Sequence, residues 1–254
     1  MTRLARFALI LFLSAGRGAF AEWETVAWND EPSPVAGLVH RYLKVEESET
    51  GARAILDMAL FSRSACKLCI IDNEASDGLG ATMTEKKCLA GVNGGYFDPS
   101  FLPLGLRIIE GKTTSRLTRG RLLTGVIATC DNQTQIFRIG EFSSYRRCNA
   151  AVESGPFLVD LSRPVRGLEA TREARRTFAL IGSDNRAALG FCSEMTLADL
   201  AKFLARPIGD LKIQRALNLD GGSSSGFWFK RATGSPYFSP EEKTVRDFVA
   251  VVPR

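Results

Sequence analysis

Residues 217–226 read Leu217-Asn218-Leu219-Asp220-Gly221-Gly222-Ser223-Ser224-Ser225-Gly226, a short apolar run that leads into a carboxylate, two glycines and three hydroxyls. Upstream, residues 92–98 repeat the arrangement as Val92-Asn93-Gly94-Gly95-Tyr96-Phe97-Asp98. Paired glycines at a strand end let backbone N–H groups face a ligand closely, because no Cβ blocks the approach. Two such loops, each with a carboxylate, predict glycine-rich loops that form one polar, anion-tolerant cleft.

The first 21 residues have the pattern of a cleaved signal peptide. Arg3 and Arg6 form a positive region, residues 7–14 an apolar core, and Ala19-Phe20-Ala21 a small-x-small cleavage site. The apolar core is far shorter than the ~20 residues of a membrane span, and no later stretch resembles one. We therefore expect an exported protein, periplasmic or secreted, with no membrane span after leader removal and with residues 22–254 as its domain.

The formal net charge of +5 comes mostly from the leader. Arg3, Arg6 and Arg17 lie in residues 1–21, which contain no acid, so their removal lowers the net charge to +2. A nucleic-acid-binding protein presents a clustered basic face. We therefore expect no nucleic-acid partner.

An even number of cysteines in an exported chain favours disulfides. The six are Cys66, Cys69, Cys88, Cys130, Cys148 and Cys192. Cys130 and Cys148 flank a predicted strand pair, which favours that bridge, whereas the pairing among Cys66, Cys69 and Cys88 stays open. The Cys66-x-x-Cys69 spacing also occurs in redox and zinc sites, but β-prone residues follow it and a full zinc ligand set is missing. We prefer a disulfide.

Most predicted elements are strands. Residues 54–61 and 248–252 are apolar strand patterns, and residues 22–34 read as an irregular leading segment. Two hairpins are predicted at short polar turns, residues 124–139 around Asp131-Asn132 and residues 178–192 around residues 183–186.

One helix is predicted, with Thr196 as its N-cap and Asp199 completing a capping box. Apolar residues at helical spacing follow, and Pro207 ends the helix. Residues 216–219 then return as a strand into Asp220. The sequence predicts an α+β fold, a single domain of mixed or antiparallel β-sheets with few helices.

Residues 222–226 match the Gly-x-Ser-x-Gly nucleophile elbow of esterases. That motif needs a histidine later in the chain, and the only histidine, His40, lies far upstream. The sequence therefore argues against a serine esterase. We expect His40 to be an ordinary surface or partly buried residue.

Three carboxylates stand beside glycines: Asp220, Glu153 in Glu153-Ser154-Gly155-Pro156, and Asp98. Glycoside hydrolysis commonly uses two carboxylates that flank the scissile bond. Taken singly, Asp220 and Asp98 could instead be turn residues that bond to their own loops. Arg176 precedes a predicted strand, where its planar guanidinium can present two donors to a phosphate or carboxylate.

Six motifs occur in the order found in the phosphodiester glycosidase family, which the chain resembles over residues 35–252. They are residues 93–98, 103–106, 153–156, 176–177, 195–197 and 217–224. The resemblance implies hydrolysis of an α-glycosyl phosphodiester, such as an N-acetylglucosamine-1-phosphodiester, on an exported glycan or cell-envelope substrate. The products are the sugar and a phosphomonoester, and we expect no cofactor and no metal.

On this hypothesis Asp220 is the base or nucleophile at the anomeric carbon, and Glu153 is its acid–base partner. Arg176 stabilises the departing phosphate. The backbone N–H groups predicted to assist it are those of Gly94, Gly95, Gly221 and Gly222. Asn93 and Asn218 are predicted to orient sugar hydroxyls. Further predicted substrate-binding residues are Asp98, Ser154, Gly155, Ser223 and Ser224.

Two other functions remain open from the sequence. The same cleft could hold an anionic polysaccharide without catalysis, with Trp228 stacking on a sugar, although a core strand is the plainer interpretation of most of residues 227–229. Alternatively, Asp98 and Asp220 could hold a metal for phosphodiester hydrolysis. We rank this last, because no histidine cluster accompanies them.

Overall fold

The computed structural model describes residues 22–143 and 147–254, so the predicted signal peptide lies outside the described residues. The described chain has two α-helices, α1 (Leu79–Glu85) and α2 (Leu197–Leu204). Its strands, in chain order, are β1 (Trp23–Pro32), β2 (Leu38–Glu47), β3 (Arg53–Ser62), β4 (Cys66–Asp72), β5 (Ala90–Asn93), β6 (Arg107–Ile109), β7 (Lys112–Ser115), β8 (Gly125–Cys130), β9 (Gln133–Arg138), β10 (Cys148–Ser154), β11 (Phe157–Asp160), β12 (Arg163–Pro164), β13 (Ala174–Gly182), β14 (Arg186–Met195), β15 (Ile213–Asn218), β16 (Phe227–Phe229), β17 (Tyr237–Ser239) and β18 (Asp247–Pro253).

The strands form three antiparallel sheets. Eight strands lie in the order β1-β2-β3-β14-β13-β15-β11-β12, and two five-stranded sheets have the orders β7-β6-β10-β8-β9 and β17-β16-β5-β18-β4. The largest core cluster contains residues of all three sheets, among them Phe61, Ile127 and Val249. The expectation of one domain with antiparallel sheets and few helices is therefore confirmed.

The elements with local signals form where the sequence predicts them. In the β8–β9 turn, Asp131 and Asn132 adopt φ of +47° and +62°, a conformation that these two residue types tolerate. At α2, the Thr196 hydroxyl accepts the N–H of Asp199 at 3.1 Å and donates to the Asp199 carboxylate at 2.8 Å. The hairpin of β13 and β14 forms as predicted, but β13 begins at Ala174, so Arg176 lies within the strand rather than before it.

Two elements differ from the sequence predictions. The irregular leading segment is in fact the edge strand β1, which pairs along its length with β2. Most of its side chains are exposed, so no apolar alternation marks it in the sequence. Helix α1 was not predicted, because its N-cap Gly78 has no capping side chain. Instead, a distant carboxylate, that of Glu241, accepts the Leu79 N–H at 2.7 Å.

The predicted Cys130–Cys148 disulfide is present and links β8 to β10. The preference for a disulfide at Cys66-x-x-Cys69 was wrong for this structure, where both thiols are free. Both cysteines lie on β4, three positions apart, so their side chains leave opposite faces of the sheet. Cys69 instead lies beside Cys88.

The positions of residues 227–229 and of His40 test two further sequence predictions. Phe227, Trp228 and Phe229 are all at least 96% buried on β16, which confirms the core-strand interpretation. His40 is only 2% exposed, so the expectation of a surface or partly buried histidine was wrong. Its Nε2 lies 2.7 Å from the carboxylate of buried Asp57, on the neighbouring strand β3.

Candidate active site

Asp220 lies where the two glycine-rich loops meet. It follows β15, and its backbone N–H donates to the Gly94 carbonyl at 3.1 Å. The Asn93 side-chain amide donates to the Asp220 carbonyl at 2.7 Å. The loop after β5 and the loop after β15 are thus joined by hydrogen bonds on both sides of Asp220.

The Asp220 carboxyl is partly withdrawn from water, and this burial raises its pKa. The Lys243 ammonium and the Gly221 N–H, which donates to Asp220 Oδ1 at 2.9 Å, offset part of the shift. The nearby Ser224 hydroxyl also favours the ionised carboxylate. Asp220 is therefore a carboxyl whose ionisation the protein opposes, a common property of catalytic acids and bases.

Tyr96 and Asn218 form a polar group beside Asp220. The Tyr96 hydroxyl donates to the Gly155 carbonyl at 2.6 Å, and the Asn218 amide donates to both of these oxygens at 3.2 and 3.1 Å. Burial and the neighbouring Asp220 charge raise the pKa of Tyr96 to about 12. The Asn218 Oδ1 atom is buried and has no hydrogen-bond partner among the described residues. This group links the loop of Asp220 to the loop after β10.

The first glycine pair packs against a buried ion pair between Arg107 and Asp247, each 1% exposed. The Gly94 N–H donates to the Asp247 carbonyl, and the Gly95 N–H donates to Asp247 Oδ1 at 2.9 Å. A Cβ on Gly94 would lie 1.6 Å from Asp247 Oδ1, and one on Gly95 2.1 Å from Arg107 Nη2. Close packing against side chains thus requires these glycines, and their N–H groups are engaged within the protein.

Asn93 is engaged in the same way. It is 1% exposed, and its Oδ1 accepts the Thr177 hydroxyl at 2.6 Å and the Gly226 N–H at 3.2 Å. Together with its bond to the Asp220 carbonyl, these contacts tie β5 to β13 and to both ends of the loop after β15. Asn93 therefore holds the strands and the Asp220 loop together by hydrogen bonds.

Arg176 enters the site from β13. Its Nε donates to the Met195 carbonyl at 2.9 Å and its Nη2 to the Arg172 carbonyl at 2.6 Å, with Glu169 3.7 Å away. Burial lowers the pKa of Arg176. A Cβ placed on Gly221 would lie 4.0 Å from Arg176 Cδ, so the arginine passes directly beside the Asp220 loop.

Glu153 lies at the end of β10 and is completely buried. Its Oε2 accepts the N–H groups of Leu106 at 2.7 Å and Thr118 at 2.9 Å, whereas its buried Oε1 has no partner among the described residues. Glu153 forms no hydrogen bond with Asp220. The two are connected indirectly, through Gly155 and the Asn218 amide.

The other predicted site residues have varied positions. Asp98 accepts the N–H groups of Ser100 and Leu102, as the turn interpretation predicts. Ser154 and Ser224 are fully buried, and each hydroxyl lacks a partner among the described residues. Gly222 has φ of +64° and open space around it, while Ser223 is exposed and its carbonyl accepts two N–H groups from residues 242 and 243.

A surface cavity of about 480 Å³ opens between Tyr96 and the segment of residues 115–123. Two of its lining residues border Glu153: the Thr118 N–H donates to Glu153 Oε2, and a Cβ placed on Gly105 would lie 2.7 Å from the same oxygen. Cavities of similar size lie elsewhere, for example between β1 and α2, so volume does not single out this one. Its distinguishing feature is its lining, which includes Tyr96, a neighbour of Asp220, together with Gly105 and Thr118, which border the buried Glu153.

Sequence reasoning missed four residues of this region, namely Tyr96, Arg107, Lys243 and Asp247. Lys243 lies over the Phe97 ring, 5.1 Å from its centroid, and its positive charge acts to lower the pKa of Asp220. Arg107 directly follows the Pro103–Leu106 motif, and Asp247 directly precedes the last predicted strand. These adjacencies were the available signals, but neither reveals that the two side chains meet.

The family model for phosphodiester glycosidases matches residues 86–252, more than half of the chain. The chain belongs to the phosphodiester glycosidase family. The matched segment contains Asp220, Glu153, Arg176, Tyr96 and the other residues of the site. Among curated proteins, none matches this family member significantly in sequence.

Solved structures share the fold of this phosphodiester glycosidase family member. The zebrafish N-acetylglucosamine-1-phosphodiester α-N-acetylglucosaminidase catalytic domain, auto-inhibited by its pro-peptide, aligns with a TM-score of 0.62 and 15% identity over 92% of this chain and 88% of that one. A hypothetical protein from Synechocystis aligns with a TM-score of 0.59 and 14% identity over 86% of this chain and 62% of that one, so this chain spans less than two thirds of its length. A Burkholderia pseudomallei K96243 protein described as exported aligns with a TM-score of 0.57 and 12% identity, over 81% of this chain and 75% of that one.

Within residues 22–143 and 147–254, no three His, Cys, Asp or Glu side chains converge in an arrangement that could hold a metal ion. Over the same ranges, no helix combines the length and the apolar character needed to cross a membrane.

Proposed function

We propose that the protein hydrolyses an α-glycosyl phosphodiester, such as an N-acetylglucosamine-1-phosphodiester, and releases the sugar and a phosphomonoester. Family membership supports the reaction type. The observation that carries the assignment to this site is Asp220, a carboxyl with a raised pKa held between two loops beside Arg176. We also propose that the protein is exported and acts on a glycan or cell-envelope substrate in a cleft formed by its glycine-rich loops.

Asp220 is the proposed base or nucleophile at the anomeric carbon. Its backbone is fixed on both sides by bonds to the first loop, which leaves the carboxylate oriented by the Gly221 N–H. A carboxylate fixed in this way can approach the sugar from one defined direction. Tyr96 and Asn218, directly beside it, are proposed to contact the sugar hydroxyls, and the unpartnered Asn218 Oδ1 supports that role.

Glu153 is the proposed acid–base partner. Two backbone N–H groups hold its Oε2 in place, and the partner that Oε1 lacks among the described residues can be supplied by substrate or water. A ligand in the adjoining cavity would contact Gly105 and Thr118, which border this fully buried carboxylate. The separation of two such carboxylates sets whether the anomeric configuration is retained or inverted.

Two cations are proposed to stabilise the departing phosphate. Arg176 uses Nε and Nη2 for backbone carbonyls, which leaves Nη1 without a partner among the described residues. Lys243, whose charge lowers the pKa of Asp220, adds a second positive charge. The N–H groups of Gly94 and Gly95 already donate to Asp247, so the phosphate role passes to these side chains and to the Gly221–Gly222 turn.

The test is sugar release from an α-N-acetylglucosaminyl phosphodiester by wild type, Asp220→Asn and the control Asp131→Asn, each with and without chelator. Asp131 is an exposed carboxylate in the β8–β9 turn. We expect Asp220→Asn to lose at least about 10²-fold in rate, as for an acid–base or nucleophilic group, and the control to lose nothing. Equal rates in all three proteins would remove Asp220 from the mechanism. A folded protein that binds anionic polysaccharide and hydrolyses no glycosyl phosphodiester would be a binding protein instead.

Arg176→Ala tests the phosphate role separately. Removing one donor to a developing oxyanion costs about 10² to 10³ in rate. The loss is expected on the phosphodiester and not on a neutral aryl glycoside of the same sugar. Equal losses on both substrates would contradict the phosphate assignment.

A further inference from the structure

The mouth of the cavity beside Tyr96 carries an unusual concentration of exposed leucines. Four of the eight large apolar side chains that are exposed in the described chain lie here, at 40% to 61% exposure: Leu102, Leu104, Leu117 and Leu122. Leu104 and Leu122 line the cavity, and Leu102 and Leu117 are each next to a lining residue. Single exposed leucines are ordinary, but a cluster around one opening indicates a contact surface.

The same rim is positively charged. Arg116, Arg119 and Arg121 are exposed and form no ion pair with a described residue. The chain contains no Asp or Glu from residue 111 to residue 130, so this basic segment has no acid of its own. The nearby Asp98 is occupied by two backbone N–H groups of its own turn. We call the four leucines and three arginines the leucine–arginine rim.

Hydrogen bonds connect the leucine–arginine rim and its segment to two residues of the candidate site, Glu153 and Tyr96. The Thr118 N–H donates to Glu153 Oε2 at 2.9 Å, and the Leu104 N–H donates to the Tyr96 carbonyl at 2.8 Å. A surface that contacts the rim is therefore positioned over the cavity that Tyr96, Gly105 and Thr118 line.

We infer that the leucine–arginine rim docks on an anionic lipid surface, and that the group attached to the substrate phosphate is a lipid. Apolar side chains interleaved with arginines match an interface in which leucines enter the acyl boundary and guanidinium groups meet anionic headgroups. An acidic polysaccharide would satisfy the arginines but offers the exposed leucines nothing. The docking itself stands without the proposed function, whereas the lipid-linked substrate rests on it.

The experiment is sedimentation with vesicles of equal parts phosphatidylglycerol and phosphatidylcholine, compared with phosphatidylcholine alone. All proteins are purified in the same N-terminal form, so any contribution of residues 1–21 is common to them. Leu102→Ser/Leu117→Ser tests the apolar part of the rim, and neither side chain lines the cavity. Leu161→Ser is the matched control, because Leu161 is 67% exposed at another site.

We expect wild type and the Leu161→Ser control to bind the anionic vesicles, and the double leucine variant to bind about tenfold more weakly. Replacing the three arginines by glutamine should weaken binding about a hundredfold, at roughly fivefold for each charge. Failure of wild type to bind, or equal losses in the double variant and the control, would overturn the proposal. So would an arginine-dependent, leucine-independent affinity for alginate, which would identify a polysaccharide surface.

Hydrolysis of a short, water-soluble glycosyl phosphodiester separates this inference from the proposed function. The double leucine variant should hydrolyse that substrate at the wild-type rate and lose rate on a lipid-linked one. Vesicle binding without any hydrolysis would support the docking surface and contradict the proposed enzymatic function. Hydrolysis without vesicle binding would support the enzymatic function and overturn the docking surface.

Discussion

Replacing Asp247 by asparagine removes one charge from the buried ion pair behind the first glycine loop. The Asp247 carboxylate accepts Arg107 Nε through Oδ2 and the Gly95 N–H through Oδ1. Asparagine preserves the shape of the side chain. The guanidinium of Arg107, 1% exposed, then keeps its charge without a counter-ion.

The structure sets the expected magnitude. Removing one partner of a buried ion pair costs about 3–5 kcal/mol, because the other charge stays buried and uncompensated. Arg107 retains four carbonyl acceptors, on Tyr96, Leu104, Leu106 and Glu153, whose dipoles continue to stabilise its charge. We therefore expect the lower end, about 3 kcal/mol. For a domain of this size that loss lowers Tm by roughly 6–12 °C.

The assay is calorimetric unfolding of wild type, Asp247→Asn and the control Glu85→Gln. Glu85 forms an exposed ion pair with Lys86 at 2.9 Å, and exposed pairs contribute little to stability. The control should therefore unfold near the wild-type temperature. If Asp247→Asn unfolds at the same temperature as the control, the ion pair does not stabilise the fold and the reasoning is refuted.

Three further predictions concern stability and redox state. Because burial raises the pKa of Asp220, Asp220→Asn should raise Tm at neutral pH, and this gain should shrink as pH falls through the folded pKa toward the unfolded value of about 3.9; a gain that does not vary with pH would contradict it. Gly94→Ala should destabilise the protein by more than about 1–3 kcal/mol in urea unfolding, since its Cβ has no space, whereas Gly140→Ala, with nothing within 4 Å, should not. Cys69 and Cys88 should form a disulfide when incubated with glutathione disulfide, and peptide mapping that finds both thiols alkylated afterwards would exclude it.

Elements with complete local signals were predictable from the sequence. The Thr196 cap, the Asp131-Asn132 turn and the apolar pattern of β3 each lie within a few residues, so a short stretch contains the cause of the structure. Helix α1 lacks such a signal, because its first N–H is capped by Glu241, far along the chain. Strand β1 lacks one because hydrogen bonds to β2, rather than burial of one face, hold it in place.

The site was partly predictable for the same reason. The two glycine pairs and Asp220 form continuous motifs, and the structure joins their loops by hydrogen bonds. Nothing in the sequence around Arg107 and Asp247 marks either residue as buried, and a solvated side chain is the ordinary expectation for a charged residue. Only the folded chain shows that they meet and that the Gly94 and Gly95 N–H groups point at Asp247 instead of a ligand.

The Cys130–Cys148 disulfide lies at one end of the β8–β10 pair, and Glu153 lies at the other, opposite Val126. Side chains alternate between the faces of a sheet, so a slip of one residue would turn the Glu153 carboxylate away from Leu106 and Thr118. A covalent link between the two strands prevents that slip. The disulfide thus fixes the register of the two strands. Its reduction should affect the orientation of the Glu153 carboxylate before it affects the stability of the sheet.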